Sequence, residues 1–345
     1  MNRMDEKSSD LLTRRRFLAN TSALGAASFL GFPLTAGAEP PPEVKKIRLP
    51  HAPIACLAPQ YLAEELLHLE GFTEVEYVPG SNRAETGPVA VAAGKVDLTM
   101  WDALHNIELL DIGKPLIVLA GVHAGCWELF ATDRVRSLRD LKGKTIAIWG
   151  LGQGDHMLLS SMLSYVGMDP HNDINWLPGQ DYDAPMRLFV EGKADAFMGF
   201  APQPQELRAK GVNARVLINT AQDKPWSQYF CCMVSTNRGF LQQNPVAAKR
   251  ALRAILKAAD ICAQEPARAV RYMATKGYEP RYELAFEVIQ GLPYRRWRDS
   301  NPEDTLRFHA LRLREAGMIK SPPEKIIAQG SDWRILNELR KELKA

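Results

Sequence analysis

The chain has little of what catalytic and metal-dependent proteins usually display in their sequences. Its seven histidines form no HExxH pair and its cysteines no CxxC, so the familiar metal-ligand spacings are missing. There is no GxSxG elbow, no Cys–His signature, and no carboxylate pair that spacing alone sets at a working separation. Gly150-Leu151-Gly152-Gln153-Gly154-Asp155 fails as a nucleotide loop. No Gly-Lys-Ser/Thr follows, and Met157 stands where a dinucleotide fold needs its third glycine. No cofactor is expected, and the chain reads as a binding protein rather than an enzyme. An excess of one charge is missing too. Residues 1–38 carry five of the 43 Lys/Arg and three of the 40 Asp/Glu, which leaves the remainder close to neutral. A nucleic-acid partner is not implied. The basic stretch Tyr294-Arg295-Arg296-Trp297-Arg298 reads instead as a solvated helix end whose arginines pair with Glu303 or Asp304.

Long apolar runs are also scarce. Ala19 to about Thr35 is only weakly apolar and shorter than the roughly 20 residues of a spanning helix. It follows Thr13-Arg14-Arg15-Arg16-Phe17-Leu18, which fits a twin-arginine export signal, and precedes Ala36-Gly37-Ala38, a small-x-small cleavage pattern. The expectation is a signal peptide over residues 1–38 and a soluble periplasmic protein, with an uncleaved anchor as the alternative. No cysteine follows the cleavage region, so a lipid anchor is unsupported. The five cysteines, Cys56, Cys126, Cys231, Cys232 and Cys262, are an odd number, so at least one stays unpaired. Buried free thiols are the economical reading. On a strand, adjacent Cys231 and Cys232 are expected to face opposite sides.

What the chain does contain is a plan written twice, about 98 residues apart. Strand Ile47–Pro50 and helix Tyr61–Leu69 recur as Thr145–Trp149 and His156–Val166. Tyr77-Val78-Pro79-Gly80 recurs as Trp176-Leu177-Pro178-Gly179, and Gly94-Lys95-Val96-Asp97 as Gly192-Lys193-Ala194-Asp195. Gly113 and Gly211 each end a helix before an apolar strand. Alternating strands and helices imply mostly parallel sheets flanked by helices. Two copies imply two lobes and a cleft. After Trp226–Val234, read as a strand, the chain turns helical. Asn244-Pro245, Glu265-Pro266, Glu279-Pro280 and Asn301-Pro302 each look like a capped helix start. This tail is expected to pack on the first lobe, giving lobe 1 as residues 45–130 and 234–345 and lobe 2 as residues 131–233.

In parallel sheets, ligands sit beyond the carboxyl ends of the strands. That rule selects the loops carrying His51, Pro53, Trp101, Asp102, His123 and Gly125 in one lobe. In the other it selects Gln153, Gly154, Asp155 and Phe200. Trp101, Trp127, Trp149 and Phe200 have the chemistry to sandwich a flat ring. Asp155 at a helix start competes with an anionic ligand for the same N–H groups, which favours a neutral, zwitterionic or amine-bearing compound.

Three segments carry a family resemblance: Val89–Asp97, Ser137-Leu138-Arg139-Asp140-Leu141-Lys142-Gly143-Lys144-Thr145-Ile146-Ala147, and Glu191–Ala196. The block Phe230-Cys231-Cys232-Met233-Val234 adds to them. The chain resembles the periplasmic substrate-binding proteins of ABC importers for nitrate, sulfonates and taurine, related to thiamine-pyrimidine-precursor binders. The resemblance implies a two-lobed type II periplasmic-binding fold that closes on a small-molecule ligand by hinge motion. It also implies delivery to permease and ATPase subunits of the inner membrane, and a monomer. Family members often place Ser or Thr where Gln153-Gly154-Asp155 stands, a departure that points away from an oxyanion. An alternative on the same fold is a secreted thiamine-pyrimidine-type biosynthetic enzyme. The cysteine-rich motif of the related eukaryotic synthase is not reproduced by Cys231-Cys232.

Overall fold

Alternating burial sets the first strand. In β1 (Lys46–His51) Ile47 and Leu49 are wholly buried while Lys46 is exposed, and the following Pro59 starts α1 (Ala58–Leu69) within its first turn. The computed structural model describes residues 39–52, 54–80 and 87–344. The segment expected to be an export signal, residues 1–38, and Pro53 lie outside the described residues. From Pro41 onward the chain forms one compact unit.

The chain continues through β2 (Glu74–Pro79), α2 (Gly87–Ala92), β3 (Leu98–Asp102), α3 (Ala103–Asp111), β4 (Leu116–Ala124) and β5 (Trp127–Ala131). It then runs through β6 (Thr145–Ile148), α4 (Gly154–Tyr165), β7 (Asn175–Pro178), α5 (Ala184–Val190), β8 (Ala196–Phe200), α6 (Gln203–Ala209), β9 (Arg215–Asn219) and β10 (Phe230–Asn237). β1 and β2 pair in parallel, from Lys46↔Glu74 to His51↔Pro79. A second group has the order β3-β10-β4, with β10 antiparallel to both neighbours. The third, ordered β7-β6-β8-β5-β9, is parallel across β7, β6 and β8 and antiparallel around β5. The reversed strands are the two that cross between sheet systems. The limits expected at 130 and 234 therefore fall inside strands. β5 already pairs with β8 and β9, and β10 already pairs with β3 and β4, so each change of sheet precedes the crossing strand.

The doubled plan is visible in its joints. The backbone N–H of Asp97 donates to the Arg48 carbonyl at 2.9 Å, and Asp97 Oδ2 accepts the Arg48 N–H at 2.7 Å. Asp195 does the same with Thr145, at 2.8 and 3.0 Å. Gly94 and Gly192 turn the chain into these joints with φ of +70° and +71°, a conformation that costs glycine no side-chain clash. Because Asp97 is held in this joint, β3 begins only at Leu98.

Helices α7 (Arg238–Gln243), α8 (Pro245–Gln264), α9 (Pro266–Lys276), α10 (Tyr282–Gly291), α11 (Pro302–Glu315), α12 (Pro323–Gly330) and α13 (Arg334–Glu342) complete the chain. α8 packs on α1, and Asp332 N–H donates to the Val118 carbonyl of β4 at 3.0 Å. α11 also reaches α4, so the tail touches both sheet systems. Some expected starts differ. Asn244 makes no side-chain cap. The Glu43 carboxylate instead accepts from Val246 and Ala247 at 2.9 and 2.8 Å, because a remote carboxylate satisfies the same free N–H groups. α10 starts at Tyr282, after the Glu279–Arg281 ion pair, rather than at Pro280. Residues 226–228 form a 3-10 turn before β10. The arginines near Trp297 do not meet Glu303 or Asp304: Arg298 binds Asp260 at 2.6 Å, and Arg296 caps the Ser227 and Gln228 carbonyls. Among the described residues no helix is long and apolar enough to cross a membrane.

Candidate functional site

The ends of β3, β6 and β8, with the starts of α3 and α4, converge on a cavity of about 430 Å³. Asp102 shows how locally the site is built. It ends β3 in extended conformation, and its Oδ1 accepts the His105 N–H at 2.9 Å, capping α3. Its other oxygen lies 2.7 Å from His105 Nδ1. Burial opposes charge on both groups. The attraction between them prevails, holding Asp102 below the usual carboxylate range and His105 above the usual imidazole range. Gln153, from the opposite sheet system, also bonds the His105 side chain.

One wall is aromatic. Trp127 and Trp149 pack on Phe200 with ring centroids 4.9 and 6.1 Å away, and Tyr182 meets Phe200 edge-on at 4.6 Å. These rings pack on one another, so they form a single wall rather than two jaws. Trp101 enters from β3. It lies so close to Gly87 that a Cβ there would sit 2.5 Å from the indole. The floor is sulfur: Cys56, Cys126, Cys231 and Cys232 all line the cavity. Neither Cys–Cys neighbour faces away. β10 slips register against β4 on both sides of Cys232, and this bulge cancels the alternation that would point Cys231 and Cys232 oppositely. Cys231 is pulled down to about 6: burial opposes this, but hydrogen bonds from the Cys126 and Cys232 thiols outweigh it. A second cavity of about 330 Å³ adjoins, sharing Asp102, Trp127 and Cys231 and adding Gly125 and His309. Burial lowers His309 to about 4, so its ring is neutral there. Among the described residues, neither cavity is lined by lysine or arginine.

Of the expected ligand contacts, Trp101, Asp102, Gly154 and Phe200 line the main cavity and Gly125 the adjoining one. Gln153 sits behind them at the N-cap of α4. His51, His123 and Asp155 line neither cavity. His51 packs against Tyr61 and Tyr278, at 6.0 and 5.7 Å. His123 is fully buried edge-on against Tyr294. The Asp155 carboxylate turns inward, accepting from the N–H of Trp149 and from that of His156 at 2.9 Å. It organises the Gly150–Asp155 turn. His105 was not foreseen, although a histidine three residues after a helix-capping aspartate is a legible signal. The thiol cluster had no legible signal, because its members come from three distant segments.

By sequence, residues 68–269 match the family described as NMT1/THI5 like. The 4-amino-5-hydroxymethyl-2-methylpyrimidine phosphate synthase THI5 of Saccharomyces cerevisiae is 25% identical over 192 residues, 52% of this chain and 55% of that protein. The chain thus spans about half the length of the curated relatives it matches. Among solved structures, the fold is similar to the periplasmic nitrate-binding protein NrtA from Synechocystis PCC 6803. The TM-score is 0.71, with 16% identity over 88% of this chain and 90% of that one. It is also similar to the alkanesulfonate-binding protein SsuA from Xanthomonas axonopodis pv. citri bound to MOPS. There the TM-score is 0.65, with 17% identity over 86% and 100%. The fold is that of the type II periplasmic binding proteins.

Proposed function

Because the chain belongs to the NMT1/THI5-like family, we propose that it is the solute-binding component of an ABC import system. It takes a small, flat organic molecule into the cavity between its two sheet systems and presents it to a membrane permease with its ATPase. The observation that carries this reading is the composition of the cavity. It has an aromatic wall, the Asp102–His105 pair at its edge, and no lysine or arginine among its described lining residues. An oxyanion there would meet no cation other than a histidine already paired with a carboxylate. An uncharged or cationic nitrogen heterocycle would stack on the wall and donate to Asp102. The sheet systems act as lobes that close by hinging about the two crossings, in the periplasm, with the protein a monomer.

The decisive experiment incubates the purified protein with aminopyrimidines, aromatic amines, nitrate, taurine and alkanesulfonates. Melting temperature is followed, and the bound compound is then recovered for mass spectrometry. A heterocycle that raises the melting temperature by mass action and is recovered unchanged supports the reading. A stabilising sulfonate, with heterocycles inert, overturns the ligand class. The similarity to the yeast synthases favours one other reading, a pyrimidine-forming enzyme on this fold. Recovery of a converted product would replace the transport role with that one.

A further inference from the structure

Four of the five cysteines, contributed by three segments far apart in sequence, converge around one buried histidine. We propose that Cys56, Cys232 and His123 form a binding site for a thiophilic metal ion of the zinc or copper(I) class, with one of Cys126 and Cys231 beside it as the fourth ligand. The sulfurs of Cys56 and Cys232 and a ring nitrogen of His123 lie within 4.8 Å of one another, as do the sulfurs of Cys126, Cys231 and Cys232. Thiolate and imidazole bonds of about 2.3 and 2.0 Å bring donors to such separations around one ion. Cys231 and Cys232 sulfurs are 3.9 Å apart, and Cys126 and Cys231 sulfurs 2.6 Å, too close for both of the latter to bind the same ion.

The histidine supplies the independent observation. His123 is fully buried, and its Nδ1 lies 3.1 Å from the Ala124 carbonyl, so Nδ1 carries the proton and donates. Its Nε2 then holds a lone pair turned toward the Cys56 thiol, with no nitrogen or oxygen donor in reach. A thiol is a weak donor, so this buried acceptor is poorly satisfied until a stronger electrophile meets it. A backbone carbonyl on the distal nitrogen is also how ligating histidines are oriented. Tyr294 fixes two ligands together: its ring packs edge-on against His123 at 5.0 Å, and its hydroxyl donates to the Cys56 carbonyl at 3.0 Å.

The backbone is bent toward the same end. The β10 bulge turns both of its cysteines inward. Cys126 holds a φ of +82°, a left-handed conformation that a side chain resists, directly after Gly125 at +84°. The cavity above the sulfurs is the entry path. Each thiol that becomes a ligand releases one proton to water, and no redox change is required. Sequence spacing suggested no metal site because these ligands assemble only in three dimensions. The inference stands whether or not the cavity also takes an organic solute.

The test uses reduced, chelator-stripped full-length protein titrated anaerobically with zinc(II), copper(I) and cobalt(II). Bound metal is counted by native mass spectrometry, and cobalt is followed by absorption. One ion per chain and a thiolate-to-cobalt charge-transfer band are expected. The Cys56→Ser/Cys232→Ser variant should lose both, His123→Gln should weaken binding at least about tenfold, and Cys262→Ser, buried in α8, should match wild type. Wild-type protein that gives no thiolate band, or binds none of the metals once reduced, overturns the proposal without recourse to any variant. So does a Cys56→Ser/Cys232→Ser protein that binds as tightly as wild type.

Discussion

Asp102 Oδ2 and His105 Nδ1 stand 2.7 Å apart at the edge of the cavity, both largely shielded from solvent. The pair gives the site a pH window. The raised His105 pKa contributes stability that is complete below the ordinary imidazole value of about 6.5 and is lost as pH climbs through the elevated one. The lowered Asp102 pKa contributes stability complete above about 3.9 and lost as pH falls through the depressed one. Wild type should therefore exceed Asp102→Asn in stability most between those values, with the gap narrowing on either side. Glu108, its pKa raised chiefly by burial, also lies near His105. Urea unfolding of both proteins from about pH 2 to pH 9 measures the gap; parallel curves would refute the pairing.

Gly87 and Trp101 form a second close relationship. At φ +54° and 2.5 Å from the indole, an added methyl has nowhere to go. Gly87→Ala should cost about 1–3 kcal/mol and displace Trp101. The readouts are a changed tryptophan emission spectrum and a lower affinity for whatever solute stabilises wild type. Unaltered emission with unaltered affinity would mean that Trp101 is not part of the site.

Asp155 is assigned to the scaffold, so its removal should act through Trp149. Asp155→Ala leaves the Trp149 N–H without its carboxylate partner and should destabilise the chain by about 2–3 kcal/mol. Cationic and neutral solutes should lose affinity by similar factors, as binding titrations can measure. A loss confined to cations would put the carboxylate back in contact with ligand.

The two motif aspartates offer a ranked comparison. Asp97 is nearly buried and joins the Arg48 backbone and guanidinium, with Nη2 to Oδ1 at 2.6 Å, whereas the side-chain bond of Asp195 is to the Thr145 backbone alone. Asp97→Ala should cost about 2–4 kcal/mol and Asp195→Ala about 1–2. Denaturant midpoints of the two variants should keep that order.

Periodicity and punctuation carried most of the architecture. β1, α1, β2, β6 and β7 are local affairs, each set by alternation or helical spacing and ended by its own Gly, Pro or Asp. The doubled Gly-Lys-x-Asp joint therefore announces two similar units before any coordinates exist. The same locality placed Trp101, Asp102, Gly154 and Phe200 at strand and helix ends. What lay outside that reach was every feature with partners distant in the chain. Glu43 displaced Asn244 as the cap of α8, and Asp260 took Arg298 from its expected neighbours. Asp155 turned into its own loop. A bulge pairing β10 with β4, more than 100 residues apart, brought Cys231 and Cys232 to the same side, where Cys56, His123 and Cys126 already converge. Strand alternation is a property of one segment, but a register shift belongs to two. The sequence by itself determined the lobes' plan; only the packing of distant segments decided that thiols and a buried imidazole would meet beneath an aromatic wall.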